Sequence, residues 1–125
     1  MPDRVISIAV DYSKSPGGRF RSYGPFSGEE FRDDVLLPAL RSALADGSVV
    51  IVELDGTFGY PASFLEEAFG GLVRRGFSRI ELERHLRLKA DSPHMKLYKS
   101  LAEEYIREAK ADTQQEQSSQ ASALV

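Results

Sequence analysis

Apolar positions along the chain change period several times, and each change marks an element. Val5-Ile6-Ser7-Ile8-Ala9-Val10 is rich in β-branched residues and ends at Asp11, the pattern of a buried strand. Residues 13 to 28 follow as a Gly/Pro/Ser-rich stretch, too long for a simple connection, in which Arg19-Phe20-Arg21-Ser22-Tyr23 alternates like a short edge strand. Ser27-Gly28-Glu29-Glu30 has the S-x-x-E form of a capping box, so a helix starts near Gly28. Phe31, Val35, Leu36, Leu40 and Leu44 then recur at helical spacing to Asp46-Gly47, with Pro38 kinking or splitting the helix.

The second half repeats the alternation. Val49-Val50-Ile51-Val52 is apolar on both faces, as a central strand covered by helices on each side would be, and Asp55-Gly56 ends it. After a tight loop at 57–62, Ser63-Phe64-Leu65-Glu66 is a second S-x-x-E box. Phe64, Leu65, Ala68, Phe69, Leu72 and Val73 make one apolar stripe, with Glu66, Glu67, Gly70, Gly71, Arg74 and Arg75 off it. Gly76 caps that helix. Arg79-Ile80-Glu81-Leu82 alternates as a further strand, and Leu86 to Lys89 adds another. Ser92-Pro93 opens a last helix that turns Leu97, Tyr98, Leu101, Tyr105 and Ile106 inward and runs to about Ala111. The order predicts an α/β domain over residues 1–111, with a mixed, mainly parallel sheet of about four strands and helices packed on it. The Gln/Ser-rich residues 112–125 hold too little apolar area to fold and read as a disordered polar tail.

Composition narrows the functional classes. Sixteen Lys and Arg against nineteen Asp and Glu give a net charge of −3, which provides no global field for a phosphate backbone and argues against nucleic acid as the partner. The chain has no cysteine, which removes disulfides, thiolate metal sites and cysteine nucleophiles together and fits a cytoplasmic setting. No run has the length of a membrane span. His85 and His94 lack a third ligand at metal spacing, and no Ser-His-Asp order, H-E-x-x-H or P-loop is present. The chain is therefore expected to be no enzyme, to need no cofactor, and to work by binding another protein.

Asp55 at the end of the central strand and Ser63 at the start of the next helix lie where open α/β sheets place ligands. An N-cap role accounts for Ser63; phosphorylation is the alternative, adding about −1.5 to −2 charges at a helix N-terminus beside Glu66 and Glu67. Asp11 and Asp55 both follow predicted strands, and a pair of such carboxylates holds Mg²⁺ in phosphoacceptor domains, although acidic residues also end strands for turn chemistry alone. Arg19, Arg21 and Arg32, interleaved with Phe20 and Tyr23, make a modest basic cluster best read as solvated loop charge. Gly70-Gly71 within the helix permits close packing or a flat face for a partner.

The run from Val52 to Leu72, VELDGTFGYPASFLEEAFGGL, resembles the STAS-like family, bacterial domains of unassigned function, and Ser27 to Arg32 with Leu37-Pro38 looks like that family's first helix. The resemblance spans residues 5 to 90. The family is similar in turn to the STAS domains of anti-anti-sigma factors, in which a kinase of the GHKL ATPase class phosphorylates the first of two serines and breaks the complex. Here the first-serine position is Ala62, and only Ser63 keeps a hydroxyl. The resemblance implies a regulatory module that docks a partner protein such as a GHKL-type ATPase. Its candidate surface is Asp55, Gly56, Tyr60 and Pro61 with the exposed Glu66, Glu67 and Gly70 of the following helix, and Ser63 is the candidate phosphoacceptor. The alternatives are a nucleotide- or Mg-binding phosphoacceptor using Asp11 and Asp55, and a structural subunit of a larger assembly.

Overall fold

The computed structural model describes residues 3–110; the tail read at 112–125 lies outside them. Three parallel strands, β1 (Arg4–Ser7), β2 (Val50–Glu53) and β3 (Leu86–Lys89), form the sheet in the order β1-β2-β3. Between β1 and β2 the consecutive helical segments Gly28–Phe31, Arg32–Leu36 and Leu37–Asp46 make up α1. Between β2 and β3 come α2, composed of Ala62–Leu65, Glu66–Gly70 and Gly71–Arg74, and the short α3 (Arg79–His85). Helix α4 (Pro93–Glu108) follows β3 and packs on α2.

The sheet has three strands rather than about four, because two predicted strands have other structures. Arg79-Ile80-Glu81-Leu82 is helical: the Ser78 hydroxyl accepts the Glu81 amide at 3.0 Å and the Glu81 carboxylate accepts the Ser78 amide at 2.9 Å, a complete capping box. That local pair outweighs a two-residue alternation. The predicted edge strand at residues 19–23 is a single 3₁₀ turn, Arg21–Tyr23. The first strand is also shorter than its apolar run. At Ser7 the chain enters a π-helical turn, Ile8–Tyr12, closed by the Val10 amide on Ser7 Oγ (3.2 Å) and the Ser7 amide on the Asp11 carboxylate (2.8 Å).

The register aligns Val5 with Ile51 and Arg87, and Ser7 with Glu53 and Lys89. Ile6, Val50, Val52, Leu86 and Leu88 on the other face are buried, whereas Val5, Arg87 and Lys89 are exposed and Ile51 is half-buried. Helices thus cover one face of the sheet, not both as the apolar run in β2 predicts. The core on the covered side joins the strands to Phe31, Leu36 and Leu40 of α1 and Phe64, Phe69 and Leu72 of α2. Each such side chain contributes about 1.5–3 kcal/mol by leaving water.

Pro38 does not split the helix. It has no amide and would clash in a tight turn, and the segment before it widens into the π-helical Arg32–Leu36, so that the Leu37 amide reaches Arg32 O and the helix continues without a break. Gly28 sets the distance between α1 and α2. A Cβ built there lies 2.5 Å from the Phe64 carbonyl oxygen, so only glycine permits this approach.

Candidate functional site

The carboxyl end of the sheet is built around the loop after β2. Its turns need positive φ at Gly56 (98°) and Gly59 (136°). Between them Thr57 is buried and its Oγ1 accepts the Gly59 amide at 3.3 Å, while the buried Tyr60 donates its phenolic O–H to Leu54 O at 2.7 Å. Burial pushes the Tyr60 phenol up to about 12, so it remains a donor throughout the neutral range. The Tyr60 ring lies 5.8 Å from that of Phe64 and 5.4 Å from that of Tyr98 on α4. With its neighbours fixed in this way, Phe58 points outward and is 83% exposed.

The same loop ties together the segments after the other two strands. The Phe58 amide donates to Lys14 O at 2.9 Å, and a Cβ on Gly56 would lie 2.9 Å from that of Ala9. On the other side, the Asp55 carboxylate accepts the Asp91 and Ser92 amides at 2.8 and 3.0 Å, which fastens the turn from β3 into α4. The Ser92 amide, with that of Asp91 behind it, holds Asp55 below the usual carboxylate range. Two further apolar side chains rise from the tied segments: Val10 in the turn after β1, 81% exposed, and Leu97 in α4 beside Tyr98, 69% exposed.

The predicted site residues fall on both sides of the surface. Gly56 and Pro61 are exposed and Asp55 is half-buried, all in this loop; Tyr60 is beneath it. Ser63 is half-buried but is not the N-cap. Pro61 occupies that position with extended backbone and no side-chain cap bond, which places Ser63 inside the first turn. Glu66 consequently does not reach back to a cap. It receives Arg74 at 2.7 and 2.9 Å and Arg19 at 2.5 Å, and these bonds, Arg74 first, hold its carboxyl below its ordinary value against the effect of burial.

Glu67 and Gly70 are buried, so the helix face read as exposed is covered. Arg32 of α1 donates to both the carboxylate and the main-chain carbonyl of Glu67, and to Asp33 Oδ1 at 2.8 Å. Arg75 joins Asp33 at 2.9 Å. This network locks the long loop, α1 and α2 together. The diglycine makes room for it: a Cβ on Gly71 would lie 2.6 Å from the Arg32 guanidinium, and one on Gly70 would lie 3.4 Å from Tyr105 O of α4. The basic cluster of the sequence is absorbed in the same way, with Arg19 and Arg32 in the network and Arg21 on Asp34 at 2.6 Å.

Asp11 and Asp55 are both bound to main-chain amides, and among the described residues no three His, Cys, Asp or Glu side chains gather as a metal site. His85 lies with Nδ1 2.8 Å from Ser48 O, and His94 is edge-on to Tyr98 at 5.1 Å. Val10 and Leu97 read as core because they stand in a strand-like run and a helical stripe, whereas Phe58 stands in the tight loop at 57–62 and carries no burial reading. An aromatic between Thr57 and Gly59, in a loop too tight to fold over it, was the available signal.

No curated protein and no solved structure matches the chain. A family model does, over residues 27–95, which takes in α1, β2, the loop with Asp55 to Pro61, α2, α3 and β3. The chain belongs to the family described as STAS-like domain of unknown function (DUF4325).

Proposed function

We propose that the chain is a bacterial, cytoplasmic signalling module that docks a partner protein through the carboxyl end of its sheet. The observation that carries this reading is the outward projection of Phe58, Val10 and Leu97 from segments bound to one loop. Gly56 and Pro61 border the same surface. The similarity to anti-anti-sigma STAS domains makes a GHKL-type ATPase the partner to test first, in a complex that needs no catalysis by this chain.

Ser63 is the modification point of that reading. It stands in the first turn of α2, where amides lack helical acceptors and the helix dipole favours negative charge. A phosphate there would change the potential of the loop beside Pro61 while leaving the core intact, and so would alter docking rather than folding.

The test uses the purified chain and a purified histidine-kinase-like ATPase from the same organism. Phe58→Asp and Val10→Asp are expected to abolish binding in calorimetry without changing thermal stability, and incubation with ATP to add one phosphate to the wild type but not to Ser63→Ala. An ATPase that binds wild type and Phe58→Asp equally would refute the surface; phosphate retained in Ser63→Ala would refute the acceptor.

A further inference from the structure

A second surface lies at the side of the domain, away from the loops after β1 and β2. A cavity of about 380 Å³ opens between β3, α3 and α4. Its apolar floor is Leu82 of α3, Leu86 and Leu88 of β3 and Ile106 of α4. Four cations surround it: Arg79, Arg87, Lys99 and Arg107, against the two carboxylates of Glu83 and Glu103. The chain as a whole is net negative, so the groove inverts the sign of its charge locally.

The groove cations lack carboxylate partners, as Lys14, Arg41, Arg84, Lys96 and Lys110 also do among the described residues, so what sets the four apart is their gathering round one groove. Arg4, Arg19, Arg21, Arg32, Arg74 and Arg75 all hold a carboxylate within 4 Å, whereas among the described residues none of the four groove cations does. Arg79 donates to the main-chain carbonyls of Arg107 and Ala109, and Arg87 to those of Glu83 and Leu86. These carbonyls stand at the C-terminal ends of α4 and α3, so they orient both guanidiniums and offset part of their charge through the helix dipole, while no carboxylate pairs with either.

Strand β3 is an edge, and its ladder fixes which groups face the groove. The Leu54 amide donates to Lys89 O at 2.9 Å, so Lys89 presents its main chain toward β2. One residue out of phase, Leu88 presents its amide and carbonyl outward. Arg87 covers the outward carbonyl of Leu86 at 2.9 Å, and no hydrogen bond among the described residues takes those of Leu88. An open edge position, an apolar floor and a basic rim without carboxylate partners coincide.

The geometry points to an extended acidic segment of a partner protein that adds alongside β3, pairs its main chain with Leu88, places an apolar side chain on the floor and meets Arg79, Arg87, Lys99 and Arg107 with carboxylates. Main-chain bonding supplies register in this mode and alternate side chains supply selectivity. Rim charges contribute chiefly to encounter rate and choice of partner.

The probe is a short fluorescein-labelled peptide alternating valine with glutamate, titrated by anisotropy into the full chain, with its valine–lysine counterpart as control. Binding of the acidic peptide alone is expected. The rim double variant Lys99→Glu/Arg107→Glu, at one half-buried and one exposed cation, should weaken it by about tenfold, which is two charge contacts reversed. Hydrogen exchange at the Leu88 amide, followed by NMR, should slow on binding, and N-methylation of the central valine should abolish both effects. Equal binding of the two peptides overturns the proposal. So does unchanged exchange at Leu88, which would reduce the groove to a charge patch, or displacement of the peptide by inorganic phosphate or by a second copy of the chain at high concentration. Because Phe58→Asp leaves this groove intact, that variant should bind the probe as wild type does, which separates this surface from the one at the sheet's carboxyl end.

Discussion

Replacing Arg32 by methionine tests whether the ion network or the apolar core holds α1 against α2. The Arg32 side chain is 6% exposed and that of Glu67 10%, so the pair is nearly removed from water. Breaking a buried pair by deleting one partner typically costs about 3–5 kcal/mol, since the remaining charge is left uncompensated. Here Glu67 would retain Arg19 at 3.2 Å and Arg74 at 3.4 Å, which places the loss near the lower end, about 3 kcal/mol. For a domain of this size that lowers Tm by about 10–15 °C. Arg32→Lys should cost nearly as much, because an ammonium cannot bridge Glu67 and Asp33 as the planar guanidinium does. The assay is urea unfolding followed by far-ultraviolet circular dichroism for Arg32→Met, Glu67→Gln and the double variant. The double variant should lose less than the sum of the singles by at least about 1 kcal/mol, because neither charge is then left alone. Additive losses, or a loss below about 1 kcal/mol for Arg32→Met, would show that the pair sits on a helix contact that packing alone maintains.

Other expectations follow from single contacts. Gly28→Ala forces a Cβ to within 2.5 Å of the Phe64 carbonyl and should destabilise by about 1–3 kcal/mol in the same unfolding assay, where a neutral result would mean that α1 can slide on α2. Tyr60→Phe removes the O–H from Leu54 O and should cost about 1–2 kcal/mol, with faster proteolysis of the loop at Phe58; unchanged proteolysis would mean that Thr57 and the two glycines fix the loop unaided. Glu66 and Asp55 titrate below their ordinary values of 4.5 and 3.8, so they stabilise the fold fully above those values and progressively less as pH falls through them. The urea midpoint should therefore hold above about pH 4.5 and fall on acidification below it, and a midpoint that rises on acidification would contradict the assigned contacts.

Three S-x-x-E sequences show how far local reading reaches. Ser27 accepts the Glu30 amide at 3.0 Å and starts α1 where the motif predicts. Ser78 and Glu81 form the complete reciprocal pair, yet the period-two alternation of Arg79 to Leu82 reads as a strand; a box closed within four residues needs no tertiary support, whereas a strand needs a neighbour that this position lacks. Ser63 and Glu66 have the motif without the structure. Pro61, with φ fixed near −59°, takes the cap position, the helix starts at Ala62, and Glu66 is drawn to arginines that are 47 residues earlier and 8 residues later in the chain. Spacing along the chain identifies a cap only when no distant charge competes for the carboxylate.

The same contrast separates what was legible in the candidate surface from what was not. The Asp55-Gly56 turn and the loop to Pro61 stand where the end of an apolar strand and the following helical stripe place them, because both boundaries depend on neighbours in sequence. The burial of Glu67 and Gly70 depends on Arg32 and Tyr105, which reach the helix from α1 and α4, and no periodicity within α2 records their arrival. Charged residues off an apolar stripe read as solvated, and that inference fails when another helix brings the opposite charge. Periodicity is silent on Phe58, which stands in the loop between two turns with positive φ at Gly56 and Gly59; it is left exposed, while the ring of Tyr60 is buried against Phe64. Burial therefore falls to the residue whose hydroxyl reaches Leu54 O, and the ring of Phe58 stays in solvent.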